Sequence, residues 1–184
     1  MGGWGSIDSE WKLTDAEGRA LSGRWWRWAL SAPGRRSPVS DTTGEHAGWK
    51  QPDDLWFLAG TYGGRVVRRC ALPAGRPLFF PVLNTQHNRF YAKTPQSMYV
   101  LKATAALNGV DLPLREYSAQ FRTPWLTRRL TWGLWAGIAP LQPGEYVLEI
   151  KAKAHDGFWV DTTYHLKVTP PDPAAEAKTG TDLD

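Results

Sequence analysis

Two short apolar runs, residues 55–59 (LWFLA) and 78–83 (LFFPVL), most constrain what this chain can fold into. Each is too short for an ordinary helix and is punctuated by glycine or proline, as buried strands are. Between them Val66, Cys70 and Leu72 alternate with polar neighbours, the period of a half-buried strand. The pattern therefore predicts three consecutive strands of one sheet. The second run is apolar on both parities, which implies cover on both faces. The parity that buries Cys70 also turns Arg68 inward, and a buried guanidinium needs an anion. Asp41, Glu45, Asp53 and Asp54 lie in the loop just before, and an Arg68–Asp41 ion pair is expected.

Upstream, Thr14-Asp15-Ala16-Glu17 fits a capping box, so a helix is expected to start at Asp15. Wound at the helical period, Leu21, Trp25, Trp28 and Ala32 form one stripe and Trp26 and Leu30 widen it. Arg24, Arg27 and Ser31 share the remaining face. Pro33-Gly34 ends the helix, giving bounds of 15–32. Three tryptophans at this spacing read as core before they read as a stacking platform. Downstream, Asn108-Gly109 sits between alternating segments as a hairpin turn, and residues 116–124 read as strand and turn. Leu126 to Leu134 alternate next, and Tyr146 to Ala152 pair through His155-Asp156-Gly157 with Phe158 to Val168.

Many short strands after a single helix, in a chain with 11 Trp and 14 Pro, predict a mainly β fold. We expect an antiparallel two-sheet β-sandwich of jelly-roll or immunoglobulin-like type, with an open barrel as the alternative. The helix would lie across an open sheet surface or one end. Residues 1–13 form an arm that Trp4 and Trp11 staple to the body, and 14–169 form one domain. Residues 170–184 lack an apolar period and read as a disordered tail.

A net charge of +4 is a mild basic excess, and the single cysteine excludes an intrachain disulfide or a cysteine-rich zinc site. No export signal is visible in MGGWGSIDSEW, and no run approaches the roughly 18 apolar residues a membrane span needs. A soluble, cytoplasmic protein without membrane contact is expected. Oligomeric state is not encoded in these patterns.

The candidate site comes from two polar loops, 35–54 and 84–97. A loop of about twenty residues is long for a compact domain, and long ordered loops tend to carry function. In a binding module, Asn84, Asn88 and Arg89 would supply polar contacts and Tyr62 and Trp49 would stack on a small molecule or saccharide. In the alternative, a non-metal acid/base enzyme, His87 or His46 titrates near neutrality and Asp41 or Glu45 orients it. A structural or assembly role stands as a third reading. The histidines lack zinc-motif spacing, glycines 60–64 lack the lysine of a phosphate loop, and no cofactor is implied. Nucleic acid is disfavoured because most tryptophans are needed for the core.

The runs WWRWALS, DTTG, WFLAGTYGG, RRC and PAGRPLFFPVLN, in that order between Trp25 and Asn84, resemble an uncharacterised, mostly exported bacterial family. That family has WWxWALS, DxTG, WFLAGTxGG, RxC and PAGxxLFFPVLN. The resemblance brings no established activity. It implies that a cysteine shortly after DxTG pairs with the cysteine of RxC in many relatives. Here the region reads Gly44-Glu45-His46-Ala47-Gly48, so Cys70 has no such partner.

Overall fold

A computed structural model gives the fold and describes residues 9–170. Trp4 and the tail beyond residue 170 lie outside the described residues. The chain builds three layers: a helix, a four-stranded sheet beneath it, and a five-stranded sheet beneath that.

Helix α1 (Asp15–Ser31) starts where the capping box requires. The Thr14 hydroxyl accepts from the Glu17 N–H at 3.3 Å, and the Glu17 carboxylate accepts from the Thr14 N–H at 2.8 Å. Its stripe of Leu21, Trp25, Trp28 and Ala29 is buried against Phe57, Phe79, Tyr117 and Trp135. Each indole N–H of the WWRW run finds an acceptor, as a buried tryptophan needs. Trp25 donates to the Leu58 carbonyl at 2.8 Å, Trp26 to the Thr131 hydroxyl at 2.7 Å and Trp28 to the Trp49 carbonyl at 2.6 Å. Those three bonds tie one helix to the residue just after β1, to a central strand and to the long loop.

The helix-side sheet has the order β1 (Trp56–Phe57), β3 (Leu78–Asn88), β7 (Arg128–Ile138), β6 (Arg115–Arg122). The far sheet has the order β2 (Gly64–Pro73), β9 (Trp159–Thr169), β8 (Gly144–Ala154), β4 (Val100–Leu107), β5 (Val110–Asp111). Both faces of β3 are covered, as its composition implied: Leu78, Phe80 and Val82 enter the core between the sheets, and Phe79 packs under the helix. Strand β7 is likewise buried on both faces, which the simple alternation of its first half did not show. The hairpins at Asn108-Gly109 and at 155–157 are as expected, the first with both turn residues at positive φ (48° and 78°). From the arm, the Trp11 main-chain N–H donates to the Gly137 carbonyl at 3.1 Å and its side chain packs on the helix-side core, so it does staple this segment to β7.

Two expectations fail. Strand β2 leaves the sheet of β1 and β3 and edges the opposite one, so 55–83 is not a run of neighbouring strands. The sandwich is also not antiparallel throughout, since β1 pairs with β3 and β2 with β9 in parallel. One cause underlies both. The chain crosses between sheets after β1 and again after β2, and a strand that returns after an excursion of that length is free to run in the original direction.

The helix sits close to β6 because residues 18 and 23 are glycine. A Cβ at position 18 would fall among the ring atoms of Tyr117, and one at 23 would lie 3.1 Å from the Phe121 Cβ. In an isolated helix Gly→Ala is favourable by about 0.8–1.0 kcal/mol. Here Gly18→Ala is expected to reverse that sign and destabilise by about 1–3 kcal/mol, because the buried ring must move. Chemical denaturation of the variant checks this, and a gain in stability would show that the helix–sheet spacing is not set by this glycine.

Candidate functional site

The segment 37–60 closes the side of the sandwich between the edge strands β1 and β2. The Arg69 N–H donates to the Thr43 carbonyl at 2.9 Å, and Gly44, at φ 94°, lies so close to Arg69 that a side chain has no room. Arg68 is buried as its parity required, at 1% exposure. Its partner is not the expected carboxylate. Nε donates to the main-chain carbonyl of Asp41 at 2.7 Å and Nη2 to that of Val39 at 3.1 Å. Nη1 reaches the carbonyls of Ala59 (3.0 Å) and Gly60 (3.1 Å) and the Tyr164 hydroxyl (2.6 Å). Neutral carbonyl dipoles thus replace the anion, and the Arg68–Asp41 ion pair is corrected to a bond with the Asp41 backbone.

The Asp41 carboxylate turns into its own loop. It accepts from the Thr43 N–H (2.8 Å), the Thr43 hydroxyl (2.9 Å) and the His46 N–H (2.8 Å). Burial pushes its pKa up, but the His46 and Thr43 donors outweigh that and leave it below the ordinary carboxylate value. Glu45 is exposed and His46 half-buried beside it. Trp49 donates its indole N–H to the Ser31 hydroxyl at 3.1 Å, a structural bond to the helix end.

The residues expected opposite them are elsewhere. Asn84 to Asn88 belong to β3 rather than to a loop. Asn84 borders a small pocket of about 20 Å³ with Gly60, Thr61 and Thr162, room for a water and not for a ligand. Its Nδ2 has no partner there. His87 Nε2 lies 3.1 Å from the Thr94 carbonyl, so that nitrogen carries the proton, and the ring meets Tyr91 edge-on. Asn88 caps the next turn by accepting from the Tyr91 N–H at 2.9 Å, while Arg89 and Tyr62 are exposed. Among the described residues no hydrogen bond or ion pair joins 35–54 to 84–97. The reason is length: Trp56 pairs with Leu78 at the start of β3, and His87 is nine residues further, about 30 Å at roughly 3.3 Å per residue.

The structure instead opens a groove of about 740 Å³ between the exposed face of α1, the end of β6 and residues 50–52. Its apolar lining is Ala20, Pro52 and Pro124 with the edges of the buried Trp28, Phe57 and Phe121 rings, and Gly23 lowers the helix wall. Five cations line it: Arg19, Arg24, Arg27, Lys50 and Arg122. Arg24 is taken by Asp54 in a two-bond fork at 2.7 and 2.5 Å, which raises the pKa of Arg24 and lowers that of Asp54. Arg19 is paired with Asp15 one helical turn away at 2.6 Å. Among the described residues Arg27, Lys50 and Arg122 have no ion pair. The polar helix face carrying Arg24 and Arg27 was visible in the sequence, but nothing local announced that Arg122 and Lys50 would face it.

Among the described residues no group of three or more His, Cys, Asp and Glu gathers as a metal would require, and no helix is long and apolar enough to cross a membrane. No family model matches the chain, and a search of curated proteins found no match either.

Two outcomes follow for this region. Asp41→Asn puts an amide N–H against the His46 N–H, so a loss of about 1–2 kcal/mol is expected at neutral pH. Because the folded pKa of Asp41 is depressed, its contribution is full above the unfolded value of about 4 and is lost as pH falls through the folded value. The stability gap between wild type and Asp41→Asn should therefore narrow in acid, and a gap constant down to the lowest pH at which both fold would refute this. Cys70 is buried, and burial pushes its thiol pKa up to about 12. Native protein at neutral pH should resist thiol reagents until it unfolds. Rapid labelling would show an open path to the sulfur.

Proposed function

We propose that this protein is a non-catalytic binding module that holds a small anionic molecule with an apolar body in the groove between α1 and β6. The supporting observation is the set of three cations without carboxylate partners, Arg27, Lys50 and Arg122, around an apolar lining of Ala20, Pro52, Pro124 and the edges of Trp28, Phe57 and Phe121. A volume of about 740 Å³ falls in the range of small-molecule sites, and few polar groups over an apolar floor is their usual make-up. Guanidinium groups favour carboxylate and phosphate, which they bind with two parallel N–H donors. Aromatic carboxylates, sugar phosphates and uronates have this combination of charge and flat or apolar body.

The acid/base reading has less support. His87 Nε2 is engaged with a carbonyl, the Asp41 carboxylate is filled by its own loop, and no bond joins the two groups. A relay would need them within reach of one another and of a substrate.

Calorimetric titration with a panel of aromatic carboxylates, sugar phosphates and uronates tests the proposal. For a ligand that binds, Arg27→Gln and Arg122→Gln should each weaken affinity by roughly tenfold or more, as loss of a charge-assisted hydrogen bond does. His87→Ala, and His165→Ala on the outer face of the far sheet, should leave it unchanged. Equal loss at all four positions, or no loss at the two arginines, would move the site away from this groove.

A further inference from the structure

Among the described residues, every exposed large aromatic residue lies at one end of the sandwich. Those residues are Tyr62, Phe90, Tyr91, Tyr99, Trp125 and Trp159. The strand registers place them together: Asn88 is opposite Arg129, Arg122 opposite Arg128, Lys153 opposite Trp159, and Gly64 opposite Val160. The 89–99 connection spans the two sheets at this end, where the His155 N–H donates to the Tyr99 carbonyl at 2.9 Å. Four exposed apolar residues are on two loops that leave neighbouring strands of the helix-side sheet. Phe90 is 102% exposed, Tyr91 80%, Leu126 66% and Trp125 58%.

The 123–127 loop is a built tip rather than a slack one. The Thr123 N–H donates to the Thr127 carbonyl at 2.9 Å, the Leu126 N–H to the Thr123 carbonyl at 2.9 Å, and the Thr127 N–H to the Thr123 hydroxyl at 3.0 Å. At its apex Leu126 has φ 69°, a conformation that suits glycine or asparagine and strains leucine. A large apolar side chain is thus held in water on strained backbone, where the fold needs neither its bulk nor its hydrophobicity. The two segments that carry the tip are basic, while the neighbouring 155–157 turn adds one exposed acid, Asp156. Segments 84–104 and 118–132 contain six Lys and Arg and no Asp or Glu, in a chain with 18 acidic residues.

We propose that this end of the sandwich docks peripherally on an anionic lipid surface, with Phe90, Tyr91, Trp125 and Leu126 entering the headgroup region. The basic residues around the tip, among them Arg89, Lys93 and Arg128, face the lipid phosphates. Aromatic rings favour the membrane interface, and apolar insertion with basic attraction is the two-signal arrangement that gives stable peripheral binding. Protruding Phe and Leu are the argument against a saccharide, which stacks on flat ring platforms and gains nothing from an aliphatic apex. The absence of a spanning helix among the described residues does not bear on surface docking, because a docked protein inserts side chains only.

The test is vesicle flotation of the full chain with phosphatidylcholine alone and with phosphatidylcholine containing phosphatidylserine, at low and high salt. Binding is expected to the anionic vesicles only and to weaken with salt. Phe90→Ala and Leu126→Asn should each reduce it by about tenfold, the effect of removing one large buried apolar side chain. Leu126→Asn relieves the positive φ, so its melting temperature should be unchanged or higher, and a drop in binding cannot then be laid to misfolding. Arg89→Glu with Lys93→Glu should abolish binding. The proposal is overturned if wild type fails to float with anionic vesicles at low salt or if the two tip variants bind as wild type. It is overturned equally if the tip variants instead lose retention on heparin or single-stranded DNA while vesicle binding is absent.

Discussion

The Arg68 guanidinium is the interaction on which the closed side of this sandwich depends. It is fully buried, lacks a carboxylate, and spends its N–H groups on four main-chain carbonyls and the Tyr164 hydroxyl. Those acceptors come from the long loop, from the connection between β1 and β2, and from β9. The two edge strands otherwise belong to different sheets. Desolvating a charge is costly, and so is leaving buried carbonyls unpaired at about 1–3 kcal/mol each. The arginine settles both, since the loop carbonyls serve as its solvent and it serves as their donor. The Tyr164 ring, 5.4 Å from the guanidinium carbon, adds a cation–π contact. Burial raises the Tyr164 pKa against the opposing pull of Arg68, so its hydroxyl keeps the proton it donates to the Ala59 carbonyl at 2.8 Å.

A consequence of this shell is that two neighbouring devices respond differently to acid. The carbonyls around Arg68 do not titrate, so that lock persists at low pH. The Asp41 turn beside it relies on an ionised carboxylate and weakens as that group protonates. The long loop is therefore held by one pH-independent clamp and one pH-dependent brace.

What the sequence disclosed, and what it hid, divides by range of interaction. The capping box, the tryptophan stripe, the Asn108-Gly109 hairpin and the inward parity of Arg68 are local, and each follows from geometry within a few residues. Assigning β2 to a sheet needed the crossover, which no local period records. The convergence of 35–54 with 84–97 failed because β3 is long enough to separate them. The Arg68 partner is hidden from the sequence for a different reason: a buried guanidinium needs acceptors, and backbone carbonyls from a loop can supply them as well as an acid can. The groove was half legible, since one wall is a contiguous helix face and the other is brought in by Arg122 and by Lys50 from distant parts of the chain.

Charge placement connects the two surfaces to which binding roles are assigned. The net charge of +4 is modest, and as an average it says little, because charges more than about 8–10 Å apart are largely screened at physiological salt. Local balance decides instead. Acids cluster with their own cations near the helix start and at 53–54, where Asp15 neutralises Arg19 and Asp54 neutralises Arg24. That pairing leaves Arg27 and Arg122 exposed along the groove, and separately the sequence places no acid in 84–104 or 118–132, the segments that carry the aromatic tip. The helix layer produces the first surface, since a helix set close to β6 by two glycines must leave a trough along its flank. The strand ends produce the second, since loops from neighbouring strands of one sheet emerge side by side. Two locally basic, partly apolar regions therefore arise on a protein whose overall basic excess is only +4.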